Sequence, residues 1–393
     1  DSGAFGGTCL NVGCIPTKMF VLPADFASSP SEAARVGVDL QFRGASFASI
    51  RDRIFGRIDS ISKAGLSYRQ GLDNIDVYTG EAAFIDAHTL EVGGRCITAD
   101  QIVLAAGSRP RVPDLDDSSM AGLIHTSDTI MRLAELPQRL VILGGGLIAA
   151  EFAHIFSGLG SQVTVINRSG RMLRHEDREI SQRFTEQMGR RVRLRMVEGL
   201  VGVDRDPGGH LVVLTVDSDG VDYDYPADVV LNATGRVSNG DRLNLPAAGV
   251  DVDDDGFVVV DKHQRTNVEH IWALGDVCSP WELKHVANHE ARVVRHNLLH
   301  PDDLAVLIIA SCRTRCFRIR RWRRLVPRSR DCCNPTLLTR RTFRSTRTSP
   351  MGGPWRTRGT ASSCWEIRRR GLCWGRTSLG PKRPPSFRPV FRG

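Results

Sequence analysis

Residues 140–149 read Leu140-Val141-Ile142-Leu143-Gly144-Gly145-Gly146-Leu147-Ile148-Ala149. A four-residue apolar run, the signature of a short buried strand, enters a triple glycine. It leaves as a stretch that can stay helical from about Leu147 to Leu159, and Gln162–Ile166 reads as the next strand. Strand, glycine turn, helix and strand within about 30 residues form a βαβ unit. Gly144, Gly146 and Ala149 fit the G-x-G-x-x-A pattern, in which missing side chains let the backbone approach a pyrophosphate at a helix N-terminus. Such a pattern alone is often only a turn, but here it has the flanking elements that a dinucleotide site requires. An NAD site usually carries an acid at the end of the second strand to bind the ribose. Asn167-Arg168 offers none, and Arg174 follows six residues later. Arginine near that strand end can accommodate a 2′-phosphate where the acid is missing, and although Arg168 and Arg174 have a plain alternative as solvated surface charges, NADPH is the expected nucleotide.

Working outward, residues 44–72 read as an amphipathic helix, with short strands expected around Ile75–Tyr78 and Thr89–Val92. Gln101–Gly107 reads as a buried strand ending at a glycine, and Pro110 and Pro113 punctuate a linker. Beyond the βαβ unit, strands are expected through Val201–Val216 and Val229–Ala233. A last block from about Pro246 to His300 closes with a strand at Ile271–Leu274, then Gly275-Asp276 and a helix.

Two cysteines stand near the start, in Cys9-Leu10-Asn11-Val12-Gly13-Cys14. In a regular helix, residues five apart are separated by about 7.5 Å along the axis and face different sides. A disulfide needs Cα atoms within roughly 4.4–6.8 Å. Any bridge therefore requires a distorted first turn, which Gly13 permits and Pro16 tolerates near a helix start. The spacing alone leaves two unrelated buried thiols open. A zinc site is disfavoured, because the spacing is wrong and no second pair accompanies it.

The surrounding residues add more. Gly6-Gly7-Thr8-Cys9-Leu10-Asn11-Val12-Gly13-Cys14-Ile15-Pro16-Thr17-Lys18 resembles the signature of the pyridine-nucleotide disulfide oxidoreductases. That family includes lipoamide dehydrogenase and the glutathione, trypanothione, mercuric and mycothione reductases. The resemblance implies an α/β fold with two Rossmann-like domains for FAD and NADPH, the flavin domain being split around the nicotinamide domain. It implies a redox-active Cys9–Cys14 disulfide, with Cys14 against the flavin as the charge-transfer thiol and Cys9 as the interchange thiol that attacks substrate. Gly7, Thr8, Lys18, Ala82, Gly107 and Asp276 are expected at FAD. Gly144, Gly146, Ala149, Glu151, Arg168, Arg174 and Gly235 are expected at NADPH. Glu151 matches the family glutamate that pairs with the flavin-side lysine, here Lys18, although an exposed helix charge is the plainer alternative. Asp276 has a plainer alternative as a helix cap. Leu147 departs from relatives that carry an aromatic residue over the nicotinamide pocket.

Three further stretches resemble the branch that reduces mycothione, with lipoamide dehydrogenase as the runner-up: Pro16–Phe20, Phe152–His154 and Lys284–Arg292. His285 and His289 are expected to be packing or loop residues. The implied partners are a small-molecule disulfide and a second copy of the chain, in the cytoplasm. Neither a metal nor a membrane is expected, and the sparing cysteine use of residues 1–310 suits a reducing compartment.

The net charge of +9 would ordinarily suggest a nucleic-acid partner. The chain is not uniform, however. Residues 1–310 carry a net −12, and residues 311–393 a net +21 from 22 Arg and one Lys against two acids. That segment also holds six of the ten cysteines and four of the six Trp, without helical or alternating apolar spacing. An Arg/Trp arm binding nucleic acid is the rival to a frameshift, and we favour the frameshift. In a neighbouring frame, codons chosen for residues 316–326 and 364–375 give segments resembling the family's interface domain, which places the break between about residues 303 and 312. The expected organisation is 1–118 for the first part of the FAD domain, whose N-terminal βαβ would lie upstream of Asp1, and 119–245 for the NADPH domain. Residues 246–302 would form the second flavin part, and 303–393 a scrambled tail without the family's acid/base histidine or an intact interface domain.

Overall fold

The computed structural model describes residues 1–112 and 124–308. The expected linker at Pro113 and the Arg-rich tail from residue 309 onward lie outside the described residues.

The chain opens through Gly6 and Gly7, both left-handed (φ 108° and 71°), into helices α1 (Gly7–Asn11) and α2 (Cys14–Ala27). Helix α3 (Ser29–Ala33) is one short turn, and α4 (Phe47–Gln70) is the long helix anticipated over 44–72. The Oγ of Ser46 caps α4 by accepting from the Ser49 N–H. Phe47, Ile54, Phe55, Ile58 and Ser62 line its buried face at helical spacing.

Strands β1 (Ala82–Phe84), β2 (Thr89–Val92) and β3 (Arg95–Thr98) form an antiparallel meander. The strand expected at Ile75–Tyr78 is absent. That segment is extended, but among its backbone groups only Tyr78 O is bonded across the chain, to the amino group of Asp1. An apolar run without a neighbouring strand cannot form a ladder. Strand β4 (Ile102–Leu104) is shorter than the apolar run suggested, and Val103 faces outward. Strands β5 (Ser108–Pro110) and β6 (Ile124–Thr126) follow.

The βαβ unit appears where its pattern placed it: β7 (Arg139–Leu143), α5 (Leu147–Leu159) and β8 (Gln162–Asn167). Helix α6 (Arg178–Gly189) then leads to β9 (Arg193–Met196). An antiparallel layer, β10 (Glu198–Arg205), β11 (Leu211–Asp217) and β12 (Asp222–Ala227), precedes β13 (Val229–Asn232). The central sheet is all parallel in the order β6-β13-β7-β8-β9. Both faces of β7 are covered, which is why its sequence is continuously apolar. Leu140 and Ile142 pack with α5 and α2, while Val141 and Leu143 pack under Val203, Val213 and Tyr225 of the antiparallel layer.

Strand β14 (Arg236–Ser238) returns antiparallel to β5. After α7 (Leu245–Ala248), β15 (Ile271–Ala273) pairs in parallel with β4, and α8 (Lys284–Leu299) closes the described part.

Helices α2 and α5 cross in close contact. A Cβ on Gly158 would lie 3.0 Å from both Cβ and O of Ala24. Phe20, Val21 and Ala24 of α2 share one core with Phe152, Ile155, Phe156 and Leu159 of α5. Fully burying one such Phe contributes about 1.5–3 kcal/mol. This crossing fixes the N-terminal ends of the two helices beside each other.

Candidate active site

Cys9 lies in α1 and Cys14 is the first residue of α2, so the distorted turn is a complete break at Val12-Gly13. Gly13 is needed for close approach rather than handedness: its φ is −119°, and a Cβ there would lie 2.9 Å from Thr8 O and 3.3 Å from Cys9 Cα. The buried Asn11 amide bonds the carbonyls of Ala4, Phe5 and Gly7 at 3.0–3.1 Å, tying the glycine loop to α1. Thr17 Oγ1 donates to Gly13 O at 2.6 Å and secures the first turn of α2.

Cys9 and Cys14 are free thiols here, and they share a hydrogen bond. Accepting that bond from Cys14 is the main reason the Cys9 thiol is pulled down to about 6. Burial opposes the change, and the Lys284 ammonium reinforces it. The Cys14 thiol is pushed up, because it donates a hydrogen bond to Cys9, with desolvation and the neighbouring Cys9 charge adding to the effect; Lys18 opposes this. The pair is thus asymmetric, with Cys9 the thiol that ionises more readily and Cys14 the one that keeps its proton. Cys14 also begins a 14-residue helix, whose N-terminal dipole favours a thiolate.

Lys18 Nζ donates to Glu151 Oε1, joining the first turns of α2 and α5. Glu151 is therefore no exposed helix charge. Its side chain is 13% exposed, and it couples the thiol turn to the helix that follows the glycine turn.

At that turn Gly144 adopts φ 111°, and a Cβ would stand 2.4 Å from Ala233 O. Only glycine fits between the ends of β7 and β13. These two strands meet where the sheet order reverses, the usual position of a ligand crevice in open parallel sheets. Gly146 caps α5 with open space where a Cβ would be, and Ala149 is buried on the inner face of the helix. The Asn167 side chain folds in against Gly145, its amide bonding Ser169 and Arg171 O. Arg168 and Arg174 are both exposed at this mouth, and Arg174 Nε donates to His175 Nε2 at 3.1 Å.

The remaining predicted residues are gathered from distant segments. Gly107 (φ 70°) and Gly235 (φ 147°) flank the β5–β14 pair, with no atom within 4 Å of a Cβ on Gly107 and only Arg111 Nε at 4.0 Å from one on Gly235. Asp276 follows β15 and accepts from Ser108 Oγ at 2.9 Å. Arg236 bonds Ser108 Oγ and O at 2.8 and 2.6 Å. Gly7 is open and Thr8 lies beside the pair in α1, while Ala82, in β1, belongs to the meander. Thus Cys9, Cys14, Lys18 and Glu151 form one cluster, Gly144 to Gly146 adjoin it through α5, and Asp276 stands with Ser108. Among the described residues, no group of three or more His, Cys, Asp or Glu is placed to hold a metal, and no helix is long and apolar enough to cross a membrane.

Four residues in this region carried no expectation of their own. Ser108 and Arg236 brace Asp276. The buried Glu290 accepts from the Gly275 N–H at 2.7 Å and braces the same turn from α8. The Lys284 ammonium helps to lower the Cys9 thiol. Each sits inside or beside a motif that was noticed, but their partners are remote in sequence and no spacing rule links them.

The model of the pyridine nucleotide-disulphide oxidoreductases matches residues 3–291. This chain belongs to that family. It is 49% identical over 305 residues to mycothione reductase of Mycobacterium tuberculosis (strain H37Rv), covering 76% of this chain and 65% of the relative. Against dihydrolipoyl dehydrogenase of Chlamydia trachomatis it is 33% identical over 304 residues, covering 76% and 64%. Among solved structures, the HOCl-induced flavoprotein disulfide reductase RclA from Escherichia coli superimposes with a TM-score of 0.67 at 27% identity, over 77% of this chain and 65% of that one. The chain thus spans slightly less than two thirds of the length of these family members.

Proposed function

We propose that this chain is the dinucleotide- and dithiol-bearing part of an NADPH-dependent flavoprotein disulfide reductase that reduces mycothione. The observation that carries the reading is the asymmetric pair: a Cys9 thiol held down beside a Cys14 thiol held up, set against the helix that opens the nucleotide turn. A packing thiol needs neither feature.

The residues fit both dinucleotides of the family. The open space beside Gly146, which a side chain would fill, suits a pyrophosphate at the N-terminus of α5, with Arg168 and Arg174 for a 2′-phosphate. Gly7, Thr8, Gly107 and Asp276 would hold FAD, with Lys18 at its ring. FAD, reduced by NADPH, would supply the electron pair that opens a Cys9–Cys14 disulfide. The chain's own part follows. Cys9 thiolate attacks one sulfur of the substrate disulfide, forming a mixed disulfide and releasing one thiolate. The Cys14 proton goes to that leaving thiolate. Cys14 then attacks Cys9 Sγ, releasing the second thiolate, which takes a proton from solvent, and restoring the internal disulfide.

Identity to the mycobacterial relative supports mycothione over lipoamide, and the absence of an acid at Asn167 supports NADPH over NADH. Assignment of residues 1–118 and 246–302 to the flavin domain, residues 119–245 to the nicotinamide domain, and a homodimer in the cytoplasm belongs to the same proposal. The test is NADPH-dependent reduction of mycothione and of lipoamide by the purified yellow protein, repeated with the chain completed to the length of its relatives. Faster turnover of lipoamide, or equal use of NADH, overturns the specific reading. A colourless preparation in both forms overturns the flavoprotein reading.

A further inference from the structure

Helices α2 and α5 are tied at a second place, about three turns along α2 from Cys14. His154, in the Phe152–His154 stretch of α5, is 1% exposed, yet both of its ring nitrogens have partners. Its Nε2 lies 2.8 Å from Asp25 Oδ1, near the end of α2. Its Nδ1 lies 3.0 Å from Nη1 of Arg191, in the connection between α6 and β9. The same guanidinium donates from Nη2 to Ser28 Oγ at 3.0 Å, at the junction of α2 and α3. A guanidinium has donors and no acceptor. Nδ1 must therefore accept, so the ring proton sits on Nε2 and is donated to Asp25. This network fits one tautomer of the neutral ring and no other state. A second ring proton would turn Nδ1 into a donor facing another donor at 3.0 Å, in the core. Asp25 keeps its bond in either state, so the conflict falls on Arg191 and, through it, on Ser28.

We propose that Asp25, His154 and Arg191 form a proton-operated latch on the crossing of α2 and α5. Protonation of His154 expels the Arg191 guanidinium, and the end of α2 with the start of α3 comes loose from α5. The charged groups that face the imidazole are Asp25 from α2 and Arg191 from the α6–β9 connection. Glu32 of α3 acts on Arg191, and Glu151, one turn earlier on α5, is engaged by Lys18. Burial pushes the Arg191 guanidinium down, with Asp25 and Glu32 opposing, but a guanidinium stays charged in proteins. The conflict is therefore relieved by movement of Arg191 rather than by loss of its proton. The Lys18–Glu151 tie and the packing of Phe20 with Phe152 and Phe156 do not depend on that proton, so the crossing loosens at one end without unfolding. The purpose of the latch rests on the disulfide-reductase reading: acid would detach the far end of the dithiol helix from the helix that follows the glycine turn. Its test needs neither turnover nor a bound nucleotide.

The experiment is amide hydrogen exchange of residues 24–33 in the full chain at pH 8 and pH 5.5, corrected for the intrinsic pH dependence of exchange. It compares the parent with His154→Gln and Arg191→Met, with circular dichroism confirming that each is folded. Parent protection should fall roughly tenfold across this range, where histidine titrates, the factor expected for one lost hydrogen bond to a charged group. Glutamine offers one donor group and one acceptor without titrating, so His154→Gln should hold its protection at both pH values. Arg191→Met should show the low, acid level at both. A parent with flat protection overturns the latch, as does a His154→Gln that loosens in acid like the parent or an Arg191→Met that keeps the parent's pH dependence. Each of these results leaves the disulfide-reductase reading standing. A second measurement needs no variant: nitrogen NMR of labelled histidine in the parent at pH 8 should find the His154 proton on Nε2, and a proton on Nδ1 overturns the latch.

Discussion

The cradle proposed for the nicotinamide nucleotide and the one proposed for the flavin are built in opposite ways. The first is nearly contiguous: β7, the glycine turn, α5 and β8 are consecutive, and one further strand, β13, closes against Gly144. The second is assembled from pieces, with Gly7 and Thr8 at one end of the chain, Ser108 and Arg236 in two crossing strands, and Asp276 and Glu290 near the other end. The first is held by backbone geometry and packing, the second largely by side-chain hydrogen bonds. A contiguous cradle fails at single backbone positions, whereas an assembled one fails when a brace is cut.

The largest effect should come from breaking the first cradle at its tightest point. Gly144→Val places carbon where Ala233 O already sits and forces a β-branched residue to positive φ. It should abolish NADPH binding in a fluorescence titration and cost about 3 kcal/mol in urea unfolding. Retention of NADPH affinity within threefold would show that the turn is less rigid than its geometry implies.

Cutting a brace of the second cradle comes next. Burial pushes the Glu290 carboxyl up, with Asp276 adding to the effect and the Gly275 N–H and Ser279 opposing it. The folded state therefore holds that proton more tightly than the unfolded chain does. The stability it contributes is greatest below the ordinary carboxyl range and falls as pH rises through the window above it. Glu290→Ala should cost about 2 kcal/mol by leaving the Gly275 N–H unpaired. Glu290→Gln should stay within about 0.5 kcal/mol of the parent at pH 8, because it keeps the acceptor and removes the charge. Equal losses for Ala and Gln would assign the role to the carboxylate itself.

Arg168→Ala with Arg174→Ala should weaken NADPH roughly tenfold, about 1.4 kcal/mol, while leaving NADH unchanged. A parallel loss for both nucleotides would remove the arginines from 2′-phosphate recognition. The smallest change joins the two cradles. Cys14→Ala deletes the main influence lowering Cys9, so the Cys9 alkylation midpoint should rise from about 6 toward the ordinary thiol value while stability barely moves. An unmoved midpoint would leave Lys284 and the helix ends as the source of the depression.

The same contrast explains what could be read from sequence. The βαβ unit was legible to the residue at α5, because apolar periodicity and glycines act over a few positions. Gly13 was legible as the point where a helix must give way, and the structure supplies the reason in the close approach of Thr8 O. Ile75–Tyr78 misled because a strand needs a neighbour, and apolar residues in the run do not reveal one. Lys284, Glu290 and Arg236 were not legible as site residues. Their partners lie far away in the chain, and their side chains act by where the fold delivers them.

The contact between Ala24 and Gly158 also constrains how the family branch can vary. With only a methyl on one side and a hydrogen on the other, neither position can grow without prising α2 from α5. Compensation is nearly impossible, since Ala24 can shrink only to glycine, and that glycine would loosen α2 by about 0.5–1 kcal/mol. The two positions should therefore be inherited together as a fixed couple, and descendants that lose one should drift in both cradles at once.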